Sequence, residues 1–340
     1  VGKVIDSFGA LNEVVEKIRA FQQRRARSIL TPELEGALCS LGGSKPKVDF
    51  EVSADGRVQR YVVKLNSSDF FNDARVSTLL ADSQKSARIT VCPRKAQSLP
   101  CGEDVLICTN YARKWTEPSA EEDVRVIRYN RVNFRTLLEN DPMLGVGEQP
   151  KIQHLIHAID RYSDNPRADK EELFRRTLFS VGTNHTANGF DNFEMYDTGR
   201  GKWRLSPSYS NLPSPDRGTN FQVGIETGES CSSLIHFDER WVAVLGGKFG
   251  YTPVESLGLA LPVVQSLDAL PVRIDNSNLI RADQSALKQI IPSEQIAKLA
   301  QKINRTPEIV EEAKKRYGLQ SVPPTPAQPK GPTGGGPKLS

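Results

Sequence analysis

The chain has 340 residues, 38% of them hydrophobic, enough to bury one large core or two moderate ones. Its 45 basic and 41 acidic residues leave a formal charge of +4, too mild to argue for nucleic-acid binding by charge alone. No apolar run reaches the roughly 18 residues of a membrane span and no secretory pattern opens the sequence. The five cysteines contain no Cys-x-x-Cys pair and read as reduced thiols, so a cytoplasmic protein is expected.

From Phe8 the apolar residues Leu11, Val14, Val15, Ile18 and Phe21 recur at helical spacing, which predicts an amphipathic helix. Arg24, Arg25 and Arg27 form a small basic cluster that reads as a solvated helix end. The run Cys39-Ser40-Leu41-Gly42-Gly43-Ser44-Lys45-Pro46-Lys47 follows. Gly42 and Gly43 let the backbone approach an anion without an intervening side chain, and successive N–H groups can cradle it. Lys45 and Lys47 add positive charge. By itself this is an ordinary turn, unlike either standard phosphate loop.

Strand-like runs come next: Val48 to Val52, Val58 to Leu65, Val105 to Tyr111 and Val124 to Tyr129. Asp55-Gly56 between the first two is a hairpin signal, and a helix is expected over Ala74 to Ala87. In Tyr61-Val62-Val63-Lys64-Leu65 a lysine sits on an apolar strand, where burial is costly without a partner charge. Kinases place such a lysine to hold nucleotide phosphates; the alternative is a strand-edge lysine facing water. From Lys151 the pattern turns helical, with Ile152, Leu155, Ile156 and Ile159 on one face and Leu173 to Phe179 after it; Phe193 to Tyr196 reads as a strand. His154, His157 and Asp160 fall on one side of that helix, a polar face in preference to a metal site.

Two downstream runs identify a family. Leu178-Phe179-Ser180-Val181-Gly182-Thr183-Asn184-His185-Thr186-Ala187-Asn188 resembles the Leu-Ile-Gly-Asn-Thr-Asp-x-His-x-x-Asn catalytic loop of the HipA kinases, toxin-type bacterial serine/threonine kinases. Trp203-Arg204-Leu205-Ser206-Pro207-Ser208-Tyr209-Ser210 resembles that family's Trp-Arg-Leu-Ser-Pro-x-Tyr-Asp. Upstream, the run from Ser40 to Lys47, the Lys64 strand with Asn66-Ser67-Ser68 after it, and the strand ending in Tyr111 and Arg113 fit the same layout, over roughly Leu34 to Leu319. The resemblance implies an α+β, bilobal protein-kinase-like fold of the HipA type with a β-rich N-lobe and a larger helical C-lobe. The expected segments are an N-terminal helical segment at 1–33, the N-lobe at 34–140, the C-lobe at 141–320 and a Pro/Gly-rich tail at 321–340.

It also implies roles. Gly42, Gly43, Ser44, Lys47 and Lys64 fall at nucleotide-binding positions, and Ser40 at the autophosphorylation site. ATP and magnesium are the implied cofactors of an active member, and nucleotide alone or none of an inactive one. The departures are at the chemistry. Asn184 stands where the base aspartate belongs, Asn188 and Ser210 stand at the metal positions with Ser210 replacing an aspartate, and Ser77 replaces the glutamate that pairs with the lysine. Asp73 or Asp82 could compensate for Ser77. Asp191 could enter as a rescuing acid if the loop took another path, and otherwise reads as a turn residue. The leading expectation is therefore a pseudokinase that binds ATP and acts through protein partners, antitoxin-like or translation-related. The alternative is an active toxin-type kinase that phosphorylates a translation factor within a toxin–antitoxin module; a transferase using nucleotide differently comes third.

The last 20 residues, Ser321 to Ser340, hold six prolines and four glycines and lack the apolar content to offset ordering entropy. Deleting them is expected to leave the melting temperature unchanged. A drop of several degrees would show that the tail docks on the body.

Overall fold

The structure is a computed structural model and describes residues 8–22, 47–54, 57–66, 70–115, 126–141, 151–199, 201–216, 221–225 and 237–318. Ser40, Gly42, Gly43, Ser44, the Asp55-Gly56 turn and the tail lie outside the described residues.

The N-terminal part is built on a four-stranded antiparallel sheet. Its strands are β1 (Lys47–Ala54), β2 (Arg57–Leu65), β3 (Arg94–Ser98) and β4 (Asp104–Thr109), in the order β1-β2-β4-β3. β1 and β2 pair from Lys47↔Lys64 to Ala54↔Arg57, the register of a tight hairpin. Side chains alternate across the sheet, and each face has its own cover. Val48, Val63, Leu65, Val105 and Ile107 pack under α1 (Phe8–Gln22), which contributes Leu11, Val15 and Ile18 at helical spacing. On the other face Leu106 and Cys108 meet Ala74 of α2 (Asp73–Ser86). β4 is thus apolar on both sides, as a central strand covered on both faces must be. Asn72 caps α2, its side chain accepting from the Arg75 amide at 3.1 Å. β3 was not legible as a strand: Arg94-Lys95-Ala96-Gln97-Ser98 does not alternate in hydrophobicity and exists as a strand because it completes the ladder to β4.

A two-stranded ribbon, β5 (Arg113–Trp115) and β6 (Val126–Arg128), leads to β7 (Arg131–Asn133) and α3 (Phe134–Asn140). After α4 (Ile152–Tyr162) and α5 (Pro166–Gly182), β8 (Glu194–Asp197) and β9 (Trp203–Leu205) join β7 in a three-stranded sheet. The remaining helices are α6 (Glu239–Lys248), α7 (Pro253–Asp268), α8 (Leu270–Asp275), α9 (Arg281–Ile290), α10 (Ser293–Asn304) and α11 (Pro307–Tyr317).

α7 is the axis of this helical part, touching α2, α5, α6, α10 and α11. A Cβ on Gly246 of α6 would sit 2.5 Å from the Cβ of Ser256 of α7, so glycine sets how closely the two helices approach. Contrary to the sequence expectation, one helical run, Pro253–Asp275, is long and apolar enough by composition to cross a membrane. The window is 67% buried inside the fold, because a helix surrounded by others must be apolar all round. The main core also takes in Phe71, Val76, Leu80, Ala87 and Ile89, so α2 belongs energetically to the helical part while covering the sheet. The Ser266 hydroxyl donates to the Ser83 carbonyl at 2.6 Å, tying α7 to α2 directly.

Candidate nucleotide site at the inner face of the sheet

Register places Lys47 opposite Lys64 on β1 and β2, and Arg94 opposite Cys108, itself opposite Val62. Since Val62 and Lys64 share a face, Lys47, Lys64 and Arg94 all belong to the inner face of the sheet. Lys64 is half-buried. Its Nζ donates to the Tyr209 carbonyl at 2.8 Å and lies 5.6 Å from that ring's centroid. Burial pushes the ammonium down to about 8, with Arg94 and Lys47 contributing in the same direction.

Tyr209 organises the site floor. Its ring stacks on Tyr111 at 6.2 Å and its hydroxyl donates to the Asp191 carbonyl at 2.9 Å. Tyr111 in turn donates to Glu194 on β8. The burial of both phenols pushes their pKa values well above the ordinary phenol range, so they stay protonated donors.

Ser77, at the place of the expected glutamate, does not reach Lys64. Its hydroxyl donates to Asn211 Oδ1 at 2.8 Å. Asn211 Nδ2 donates to Gln84 Oε1 at 3.2 Å, and Gln84 Nε2 donates to Ser208 Oγ at 3.3 Å. Arg94 closes this network, donating to the Cys92 carbonyl at 3.1 Å, Ser77 Oγ at 3.2 Å, Asn211 Oδ1 at 3.4 Å and the Ser208 carbonyl. Neither proposed substitute pairs with Lys64: Asp82 is on the surface with Lys85 at 2.9 Å, and Asp73 is buried in the first turn of α2.

The loop after α5 is stitched to the segment after β9. Asn184 adopts a left-handed backbone, φ 54°, and is 3% exposed. Its Nδ2 donates to the carbonyls of Ser214 at 2.8 Å and Asp216 at 3.0 Å, while Oδ1 is buried with no partner among the described residues. His185 Nδ1 lies 2.6 Å from the Leu212 carbonyl, and Thr186 meets the Ser214 hydroxyl. Asn188 Oδ1 accepts from the Val223 amide at 3.2 Å, and the half-buried Ser210 hydroxyl bonds no described residue. Asp191 lies elsewhere: half-exposed in a short 3-10 turn, its carboxylate is gripped by Arg135 at 2.8 to 2.9 Å. The structure thus places Lys47 and Lys64 on the inner face of the sheet, Asn184 and Asn188 in the loop after α5, and Asp191 on the surface with Arg135.

These residues do not fit magnesium. The divalent ion wants several oxygen ligands with carboxylates among them. Here Ser210 is neutral and Asn188 and Asn211 are spent on internal hydrogen bonds. Among the described residues no group of three His, Cys, Asp or Glu side chains could hold a metal. Among the described residues Lys64 and Arg94 touch only neutral oxygens and an aromatic ring, so neither cation is matched there by a carboxylate.

The motif that first marked the family owes its residue types to the ion pairs beneath it. Arg204 is held bidentate by Asp169, Nη2 to Oδ1 at 2.9 Å, and Asp169 also accepts from the Leu205 amide at 3.0 Å. Arg176 donates to the Ser206 carbonyl at 2.7 Å and is itself fixed by Glu172 at 2.8 Å. Sequence reasoning missed Arg94 and Asn211, whose contacts span more than a hundred residues, and Glu172, whose helix α5 hides its carboxylate in the core. The adjacency of Asn211 to the quoted motif was the one available signal.

The sequence model of the HipA-like C-terminal domain matches residues 39–258. The chain belongs to that family. Two solved structures share the fold. One is HipA of the Shewanella oneidensis MR-1 toxin–antitoxin system, in complex with HipB and its operator DNA, at 13% identity and TM-score 0.51, covering 89% of this chain and 70% of that one. The other is the Helicobacter pylori proinflammatory kinase CtkA, at 12% identity and TM-score 0.52, covering 75% of this chain and 91% of that one. No curated protein sequence matches the chain.

Proposed function

We propose that the protein is a HipA-type pseudokinase that binds the phosphates of ATP on the inner face of the sheet and acts through a protein partner. The observation that carries it is chemical. The cationic half of the site is retained at Lys64, whereas the positions that need carboxylates hold Asn184, Ser210 and Ser77, and two of these are built into internal hydrogen bonds. Gly42, Gly43 and Ser44, which lie outside the described residues, are assigned to the same phosphates on the sequence motif alone. Cys92, Cys101 and Cys108 are free thiols, in keeping with a cytoplasmic setting. Because the Shewanella HipA was solved with HipB and operator DNA, an antitoxin-like helix-turn-helix protein encoded beside this chain is the first partner to seek. The second reading, an active serine/threonine kinase, draws on the family and on the kinase neighbour.

Thermal-shift titration tests nucleotide binding. A ligand selective for the folded state contributes about 2.7 kcal/mol at 100-fold excess over Kd. ATP is expected to raise the melting temperature, and Lys64→Met to remove most of the gain. Absence of any shift with millimolar-scale ATP sinks the nucleotide assignment.

The response to pH has a definite sign. The folded-state Lys64 ammonium lies at about 8, below its ordinary 10.5, so its charged form costs stability below that value and the cost is relieved as pH rises through it. Phosphate binding needs the charged form. ATP affinity should therefore fall about tenfold between pH 7 and pH 9, and Lys64→Met should flatten the profile.

A further inference from the structure

Lys47 and Lys64 are direct cross-strand partners, which puts two cations on one face of the sheet. Arg94 adds a third cation to the same face and depresses the Lys64 ammonium through its field. Among the described residues neither Lys64 nor Arg94 touches a carboxylate. A guanidinium has five N–H donors in a fixed fork. Four contacts to neutral oxygens hold Arg94 in place and, among the described residues, leave one Nη2 hydrogen uncommitted. Ser210 in place of an aspartate removes an anionic ligand of a divalent ion, and Ser77 in place of a glutamate removes the carboxylate that would pair with Lys64, its hydroxyl bonding Asn211 instead.

We infer that this face of the sheet binds its triphosphate without a divalent cation, with Arg94 facing the phosphates in the role a metal ion plays in catalytically competent kinases. The inference rests on the nucleotide-binding reading above. Arg94 suits the task because its planar fork is pre-organised by Ser77, Ser208 and Asn211, so little entropy is lost when it meets a phosphate oxygen. Retaining the network also fixes α2 against the segment after β9, independent of metal loading.

Isothermal titration of the full chain with ATP, in EDTA and again in excess magnesium, is the test. The dissociation constants are expected to agree within about threefold, since no carboxylate pair is present to recruit the metal. Inorganic tripolyphosphate should compete with ATP in EDTA. Arg94→Met should weaken binding in EDTA by about tenfold or more, the loss of one charge-assisted contact, and Arg94→Lys should recover part of it. Because Arg94→Met removes a partner from a buried network, its fold is checked by circular dichroism. Ser210→Asp, which disturbs no described hydrogen bond, supplies an independent arm. It should weaken ATP binding in EDTA and make magnesium helpful. Binding that improves tenfold with magnesium in the unmodified chain, a folded Arg94→Met with unchanged affinity, or failure of tripolyphosphate to compete would each overturn the inference while leaving nucleotide binding intact. No ATP binding under either condition would overturn the nucleotide reading itself and this inference with it.

Discussion

Incubated with ATP and magnesium, the unmodified protein is expected to label neither its own Ser40 nor a protein substrate, and neither Asn184→Asp nor Ser210→Asp alone should change that. A carboxylate at the base position accepts the hydroxyl proton as the bond to phosphorus forms; the Asn184 carboxamide cannot. A serine at position 210 offers one neutral oxygen where an anionic ligand is required. Loss of one such group typically costs about 10²–10⁴-fold, on the order of 3–5 kcal/mol of barrier, and groups that act as a unit are non-additive. The double variant is therefore the one expected to regain transfer, with Asn184→Asp carrying its own burden. Its Nδ2 now donates to two carbonyls, and a carboxylate oxygen in that place would face both with nothing to donate. The cost of leaving such groups unsatisfied is about 1–3 kcal/mol, so the single variant should melt lower than the parent. Asp191→Ala is expected to be silent, because that side chain pairs with Arg135 at the surface and Tyr209 uses only the Asp191 backbone carbonyl. Robust magnesium-dependent labelling by the parent, abolished by Asp191→Ala, would establish the active-kinase reading and make Asp191 its acid.

The largest loss of stability is expected from Glu172→Ala. Glu172 is 6% exposed and accepts from the Thr90 amide at 2.9 Å, Arg175 at 3.0 Å and Arg176 at 2.8 Å. Both arginines are themselves buried, so removing the carboxylate leaves Arg176 with no carboxylate among the described residues and Arg175 with only the distant Glu171 at 4.0 Å. Breaking a buried pair from one side costs about 3–5 kcal/mol. For a chain of this size that is on the order of 10 °C in melting temperature. The second consequence is local: Arg176 positions the Ser206 carbonyl, so the segment carrying Tyr209 and Ser210 should loosen, seen as faster amide exchange there. The control is Glu294→Ala, which removes an exposed (i, i+4) pair with Lys298 and should leave the melting curve in place. Equal effects from the two substitutions would refute the assignment of Glu172 as the buried hub.

Elements with a strong local signal were legible from the residues. The helical spacing of Leu11, Val15 and Ile18, the antiparallel pairing of the two strands flanking Asp55-Gly56, the α2 helix within one residue of its expected bounds, and the family motif at Trp203 to Ser210 each depend on neighbours in the chain. Two sequence readings did not carry through. The apolar run of α7 was passed over because nothing local tells a helix enclosed by others from one enclosed by lipid. β3 was passed over because its strandedness is a property of β4 beside it.

By itself, then, the sequence determined the family, the α+β bilobal architecture and the absence of carboxylates at Asn184 and Ser210, since these are matters of residue type in a fixed order. Only the tertiary structure decided what fills the places left by those acids. Ser77 and Asn211 lie 134 residues apart and Arg94 and Asn211 lie 117 apart, and their hydrogen bonds form only once the sheet, α2 and the segment after β9 have packed together. Asp191 shows the same dependence in reverse: its residue type suits a catalytic acid, and the fold turns it toward Arg135 at the surface. Hydrogen bonds and charge pairs between distant segments have no period and no local composition, so they are settled by packing and not by pattern.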